Sequence, residues 1–382
     1  METMAVPQGT FALERPDAGE RSPLRAWDAA DEMVLRHLDA VGATGEVVLV
    51  GDAWGALACA LAPTGPTVVV DSYVAGRAIG HNLAAHGLLA SSVRVVTPLA
   101  DLPERVDVAV VKVPKTTALL EHVLHRLAPS LHGGSIVVGA GMARHVHSST
   151  IDLFERLVGP TRTSRAEKKA RLIHAQVAGR VVGPSPWPRE VVVTPPGGEP
   201  LTAVAHAGVF SADHLDPGTA LLLAHLPEPG VHRAAVDLGC GTGVVGTVLA
   251  RRDPDLEVTF VDDSTLAVAS ARATWAGALG DRTARFTVGD ALEDLADGEP
   301  VTPDLVVVNP PFHRDHTVGD ATAWRMFAQA RAVLAPGGEL LVVGNRHLAY
   351  HAKLKRLFGT AAVEVVGSDP GFVVLRAATS PR

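Results

Sequence analysis

The chain has 382 residues, 47% hydrophobic and 20% charged, which favours two domains with ordinary globular cores. A net charge of −7 excludes nucleic-acid binding by bulk charge alone, though not through a local basic face. Cys59 and Cys240 are the only cysteines, which excludes a disulfide framework. The first residues show no basic segment followed by an apolar one, and no apolar run approaches the ~20 residues that cross a bilayer. The expectation is a soluble, cytoplasmic protein without membrane contact.

The first predicted element is an amphipathic helix in "LRAWDAADEMVLRHLDAV", where Leu24, Trp27, Val34 and Leu38 share a face that packs on the N-terminal domain. Strand, turn and helix signals then follow in "EVVLVGDAWGALACALA", "TVVVDS", "VDVAVVKVPKT" and "LAPSLHGGSIVVGAG". From Arg144 to Arg189 basic residues outnumber acids nine to three, most densely in "TRTSRAEKKARL". Against a negative chain, that contrast favours an RNA-facing patch that includes Arg162, Arg165, Lys168 and Lys169. "GPSPWPREVVVTPPGGEP" is rich in Pro and Gly and reads as a linker carrying one strand of a hairpin, dividing residues 1–186 from 187–382.

The second half reads more clearly. "RAAVDLGCGTGVVGTVLARR", "LEVTFVDDS", "ARFTVGDAL", "PDLVVVNPPF" and "LAPGGELLVVGN" alternate strands with helices, which implies an α/β domain with a mostly parallel sheet covered on both faces. "AVEVVGSDPGFVVLRA" holds two strands joined by a turn too short for a crossover, so one strand near the sheet edge runs antiparallel. Four segments of the first half match segments of the second in the same order, which points to an internal duplication.

"DLGCGTGVVG" places Gly239, Gly241, Gly243 and Gly246 between a strand and a helix, with Asp262 ending the next strand. An acid there can accept from both ribose hydroxyls. A nicotinamide dinucleotide and S-adenosylmethionine both fit such a loop. Three features favour the second: Asp237 before the glycines, suited to a cationic amino group; Asp290 after the third strand, suited to an adenine amine; and the antiparallel strand. "VVVNPPFHRD" then ends the fourth strand on Asn309, Pro310, Pro311 and Phe312. An exocyclic amine on a base is a poor nucleophile because its lone pair is delocalised into the ring. The side-chain oxygen of Asn309 and the carbonyl of Pro310 could accept its two hydrogens and turn the lone pair toward a methyl sulfonium. Prolines hold that carbonyl still and add no competing donor. Phe312 offers a flat face for the base, and His313 and Arg314 follow it toward base or phosphate. His347 and His351 stand at helical spacing without the carboxylate of a zinc motif, so no metal is expected.

With "GVFSADHLDPGTALLL", "DLGCGTGVVG" and "NPPFH", the second half resembles the class I methyltransferases of the small-domain family. The whole chain, over roughly residues 22–378, resembles the two-domain bacterial ribosomal-RNA guanine-N2 methyltransferases, most of all the branch acting on 23S rRNA. "RAWDAADEMVLRHL", "GDAWGALACAL", "VKVPKTTALLE", "AWRMFAQAR" and "NRHLAYHAKLKRLFG" carry that likeness. The resemblance implies two tandem Rossmann-like domains, the first a degenerate copy that helps hold RNA. It implies S-adenosylmethionine as cofactor and ribosomal RNA, or a ribosomal-subunit precursor, as partner. The first copy's own residues agree: Ala53 replaces the middle glycine, Trp54 is bulky, and Lys112-Val113-Pro114-Lys115 stands where the second copy has Asn-Pro-Pro-Phe. Lys112 and Lys115 could meet phosphates or form an ordinary solvated turn. The same chemistry on 16S rRNA, another RNA, DNA adenine N6 or a protein glutamine amide is the alternative. Oligomeric state is not legible.

Overall fold

The computed structural model describes residues 3–16, 24–293, 302–311 and 316–381, with the backbone alone for 316–320. The chain divides into two compact units, Met1–Trp187 and Pro188–Arg382.

The first unit opens with a hairpin of β1 (Met4–Val6) and β2 (Gly9–Phe11), followed by α1 (Ala29–Ala40). Then come β3 (Val47–Val50), α2 (Ala56–Leu61), β4 (Thr67–Val69), α3 (Tyr73–Ala85), β5 (Arg94–Val96), β6 (Val106–Lys112), α4 (Thr117–Leu127), β7 (Leu131–Met142), α5 (Ser148–Leu157), β8 (Thr161–Thr163) and β9 (Ala170–Ala175). One seven-stranded sheet runs β5-β4-β3-β6-β7-β9-β8. Val47 and Leu49 of β3 join one core and Val48 and Val50 the other, which is why the strand is apolar throughout. The helix expected from Leu24 begins later. Asp28 caps α1 and exchanges side-chain and backbone hydrogen bonds with Asp31, so Leu24 and Trp27 precede it; Val34 and Leu38 are buried as expected.

The second unit opens with the antiparallel hairpin β10 (Arg189–Val193) and β11 (Leu201–Ala205). It continues through α6 (Pro217–Leu223), β12 (Ala234–Leu238), α7 (Val244–Arg252), β13 (Glu257–Asp262), α8 (Thr265–Leu279), β14 (Arg285–Val288), β15 (Leu305–Val308), α9 (His316–Val333), β16 (Glu339–Asn345), α10 (Tyr350–Phe358), β17 (Val363–Ser368) and β18 (Phe372–Ala378). Its sheet runs β14-β13-β12-β15-β16-β18-β17, and β18 alone lies antiparallel to both of its neighbours. Strand for strand, this is the order of the first sheet. No helix among the described residues is long and apolar enough to cross a membrane.

Shared register makes positions comparable. Val48 pairs with Thr67 and Ala109, and Val236 pairs with Thr259 and Val306. Thr67 pairs with Arg94, and Thr259 with Arg285. Counting from these anchors, Leu49 stands for Asp237, Val70 for Asp262, Leu99 for Asp290 and Lys112 for Asn309.

Candidate active site

The glycine loop of the second unit joins β12 to α7. Gly239, Gly241 and Gly243 hold φ of 72°, 53° and 75°, a region that side chains disfavour. Their roles differ. A Cβ on Gly243 would lie 2.7 Å from the Cα and Cβ of Ala271, and one on Gly246 would lie 2.5 Å from the Phe260 ring, so these two let α7 close on α8 and β13. A Cβ on Gly241 would meet nothing within 4 Å, which marks the loop's open edge.

Two acids lie against this loop. Asp262 accepts from the amide of Gly241 (3.0 Å) and of Ser264 (2.9 Å). Asp237 is buried beneath the loop and accepts from the Gly246 amide at 2.8 Å. Burial, with the Asp262 charge adding to it against that hydrogen bond, pushes the Asp237 carboxyl up to about 7. The negative field here suits a cation and opposes a pyrophosphate. Asp290 lies two residues beyond β14 and is engaged by Arg325 of α9 at 2.8 Å.

Asn309 follows β15 directly. Its Nδ2 donates to Thr219 Oγ1 (2.9 Å) and to Asp216 Oδ2 (3.3 Å), at the start of α6. Its Oδ1 is shielded from solvent and has no hydrogen-bond donor among the described residues. An acceptor left so costs about 1–3 kcal/mol, which a donor from a bound molecule would recover. The Pro310 carbonyl, likewise, accepts no hydrogen bond among the described residues. Phe312, His313 and Arg314 lie outside the described residues.

Two of these features fit S-adenosylmethionine, the open glycine edge and the acids at the ends of adjacent strands; the Asn309 acceptor fits an amine donor placed beside it. Sequence reasoning missed Asp216, Thr219 and Arg325. The "DPGT" string signals a helix start, with an acid cap and proline in the first turn, but its partner Asn309 is 93 residues away.

The same crevice in the first unit is closed chemically. Asp52 accepts from the amides of Gly55 (3.0 Å), Ala56 (3.1 Å) and Ala58 (2.7 Å), occupying the donors of its loop. The Arg15 guanidinium lies 4.2 Å over the Trp54 ring. Neither alternative for Lys112, a phosphate contact or a solvated turn, fits the structure: its ammonium donates to Asp31 (2.6 Å) and Asp28 (2.9 Å), inside the fold. A lysine so enclosed has no face for a phosphate. Lys115 is exposed.

The basic run lies on the β8–β9 hairpin at the sheet edge, where Arg162, Arg165, Lys168 and Lys169 are all exposed. Lys168 and Lys169 turn the chain with φ of 47° and 65°. Lys168 is paired with Glu32 at 3.0 Å; Arg162, Arg165 and Lys169 have no ion-pair partner among the described residues. Beside them the rings of His37 and His174 meet edge to face, centroids 4.6 Å apart. Burial, then the neighbouring cations, hold both imidazoles below their usual range.

Residues 1–179 match the family described as RLMG N-terminal domain, and residues 200–376 the family described as Methyltransferase small domain. The ribosomal RNA large subunit methyltransferase G of Streptomyces avermitilis is 53% identical, with 98% of this chain and 99% of that protein covered. The protein of the same name from Pseudomonas aeruginosa strain UCBPP-PA14 is 47% identical, covering 99% and 100%. Among solved structures, the T. thermophilus 16S rRNA N2 methyltransferase RsmC, in complex with AdoMet and guanosine, is 26% identical with a TM-score of 0.76, over 99% of this chain and 97% of that one.

Proposed function

Since the chain belongs to the family of the ribosomal RNA large subunit methyltransferase G proteins, we propose that its second unit transfers a methyl group from S-adenosylmethionine to the exocyclic N2 amine of a guanosine in 23S rRNA. When bound, the cofactor supplies an electrophilic methyl on a sulfonium. Gly241 leaves the loop open beside it, Asp262 accepts from the ribose, and Asp290 accepts from the adenine amine. Asp237 balances the cationic amino group from beneath the loop. Asn309 Oδ1 and the Pro310 carbonyl each accept one amine hydrogen, which directs the nitrogen lone pair to the methyl group. Pro311 stiffens that turn, and Phe312 stacks on the guanine. No base is needed before attack, because the methylated amine loses its proton readily afterwards. Catalysis is therefore chiefly positioning, worth on the order of 7–11 kcal/mol in the best cases.

The observation that carries this reading is Asn309 Oδ1, a shielded acceptor without a donor among the described residues, at the end of the strand beside the glycine loop. The first unit, with Leu49, Val70, Leu99 and Lys112 at the four matching positions, takes no part in the chemistry. Its β8–β9 edge, through Arg162, Arg165 and Lys169 with Lys168, is the RNA-holding face, and the enzyme works in the cytoplasm where that RNA is made. The test is methyl transfer from labelled cofactor to 23S rRNA. Asn309→Ala should lose turnover by at least about a hundredfold while binding the cofactor normally. Normal methylation by that variant would remove the assignment.

A further inference from the structure

We propose that Asp216 and Thr219 are positioning residues that fix which end of the Asn309 amide faces the substrate. This rests on the reading of Asn309 as the amine acceptor. A terminal amide is nearly symmetric in shape, so packing alone leaves its oxygen and nitrogen interchangeable; only partners tell them apart. With the amide reversed, the nitrogen would face the guanine amine, donor against donor, and the site would repel its substrate.

The partners here leave one choice. Asp216 Oδ2 accepts from the Thr219 amide (2.8 Å), from Thr219 Oγ1 (3.3 Å) and from Asn309 Nδ2 (3.3 Å). A carboxylate only accepts, so the group it meets on Asn309 must be the NH2. Thr219 Oγ1 gives its single hydrogen to Asp216. Its lone pairs are then what it offers to Asn309 Nδ2 at 2.9 Å, and again only a donor fits. Two acceptors thus hold the two hydrogens of one nitrogen, and Oδ1 is left without a donor among the described residues. Asp216 is itself fixed as the cap of α6, with Pro217 in the first helical position. Gly218 keeps the space clear, since a Cβ there would lie 3.0 Å from Asp216 Oδ2 and from the Phe372 ring. The chain Asp216–Thr219–Asn309 runs from a helix start to the end of β15 and sets the polarity of the acceptor.

Three variants and two readouts test it. Thr219→Val keeps the shape and removes the hydroxyl, Thr219→Ser restores it, and Asp216→Asn supplies a side chain that can donate and so permits reversal. Methyl transfer to 23S rRNA should fall about 10- to 100-fold in kcat for Thr219→Val and Asp216→Asn, with cofactor Kd within about twofold. Thr219→Ser should stay within about threefold of the parent. The second readout needs no turnover: the side-chain NH2 of Asn309, followed by 15N NMR and assigned by its loss in Asn309→Ser, should be protected from exchange in the parent and in Thr219→Ser, and exposed in Thr219→Val. Equal protection in the parent and Thr219→Val, or a Ser variant as impaired as the Val variant, would overturn the proposal. If the parent methylates no RNA yet its amide shows the expected protection pattern, the acceptor reading fails and the orientation stands.

Discussion

Replacing Lys112 with methionine should destabilise the first unit and leave cofactor binding untouched. The Lys112 ammonium lies 2.6 Å from Asp31 and 2.9 Å from Asp28, with 14% of the lysine, 8% of the Asp31 and 43% of the Asp28 side chain exposed, so the contact to Asp31 is the buried one. Methionine keeps the stem and removes the charge, so two carboxylates lose their counter-ion. Breaking a buried pair from one side costs about 3–5 kcal/mol. The loss depends on pH. Burial already pushes the Asp31 carboxyl up to about 6, against the ammonium's opposing pull and with Asp28 and Asp52 adding to the rise. A folded pKa above the unfolded one of 3.8 means that this contribution is fully present below that lower value and lost as pH rises through the upper one. Without Lys112 the Asp31 carboxyl rises further, so its part of the penalty should be small near about pH 5 and full near about pH 8; Asp28, where burial is outweighed by the ammonium and the carboxyl lies below its usual range, is ionised at both and adds a part that does not change. Because the chain has two units, hydrogen exchange of the α1 and β6 amides is the suitable assay, as it reports the first unit alone. A loss under about 1 kcal/mol at the higher pH, or a larger loss at the lower one, would refute the reasoning.

The remaining predictions concern cofactor, loop and RNA. S-adenosylmethionine binding should release a proton below about pH 7, because a cationic amino group stabilises the Asp237 carboxylate; calorimetry in buffers of different ionisation enthalpy should show it in the parent and not in Asp237→Asn. Gly243→Ala should unfold the second unit more readily by about 1–3 kcal/mol, since its Cβ would enter Ala271, as a thermal melt would show. Gly241→Ala meets no such neighbour and bears only the strain of its positive φ, which Gly243→Ala bears as well, so it should chiefly weaken cofactor binding, and a larger stability loss there than at Gly243 would contradict the division of roles. Changing Arg162 and Lys169 together to glutamate should raise the KM for rRNA and flatten its salt dependence without altering cofactor Kd; an unchanged salt slope would place RNA elsewhere.

Much of the fold was legible because its signals are local. Apolar strands such as Val47–Val50 and Leu305–Val308, glycine loops and short turns announced a parallel sheet with one reversed strand, and β18 is that strand. The site was legible only where it is contiguous, as in the run through Asn309 and the loop around Gly241. The partners of those residues were not. Nothing in the sequence joins Thr219 to Asn309, Arg325 to Asp290, or Lys112 to Asp28 and Asp31, since each pair meets only once the sheet is formed. Lys112 shows the cost of reading charge without depth. A lysine at a strand end looks solvated, and here it is the counter-ion of a buried Asp31 and a half-exposed Asp28.

That pair also makes the divergence of the two sheets hard to reverse. To return Asn at position 112 would strand Asp28 and Asp31, and to clear those acids first would strand the lysine. Any single step back toward the ancestral site passes through a less stable protein. The contact that fills the old acceptor position thus also steadies the fold around it, and the crevice stays closed for a reason unrelated to catalysis.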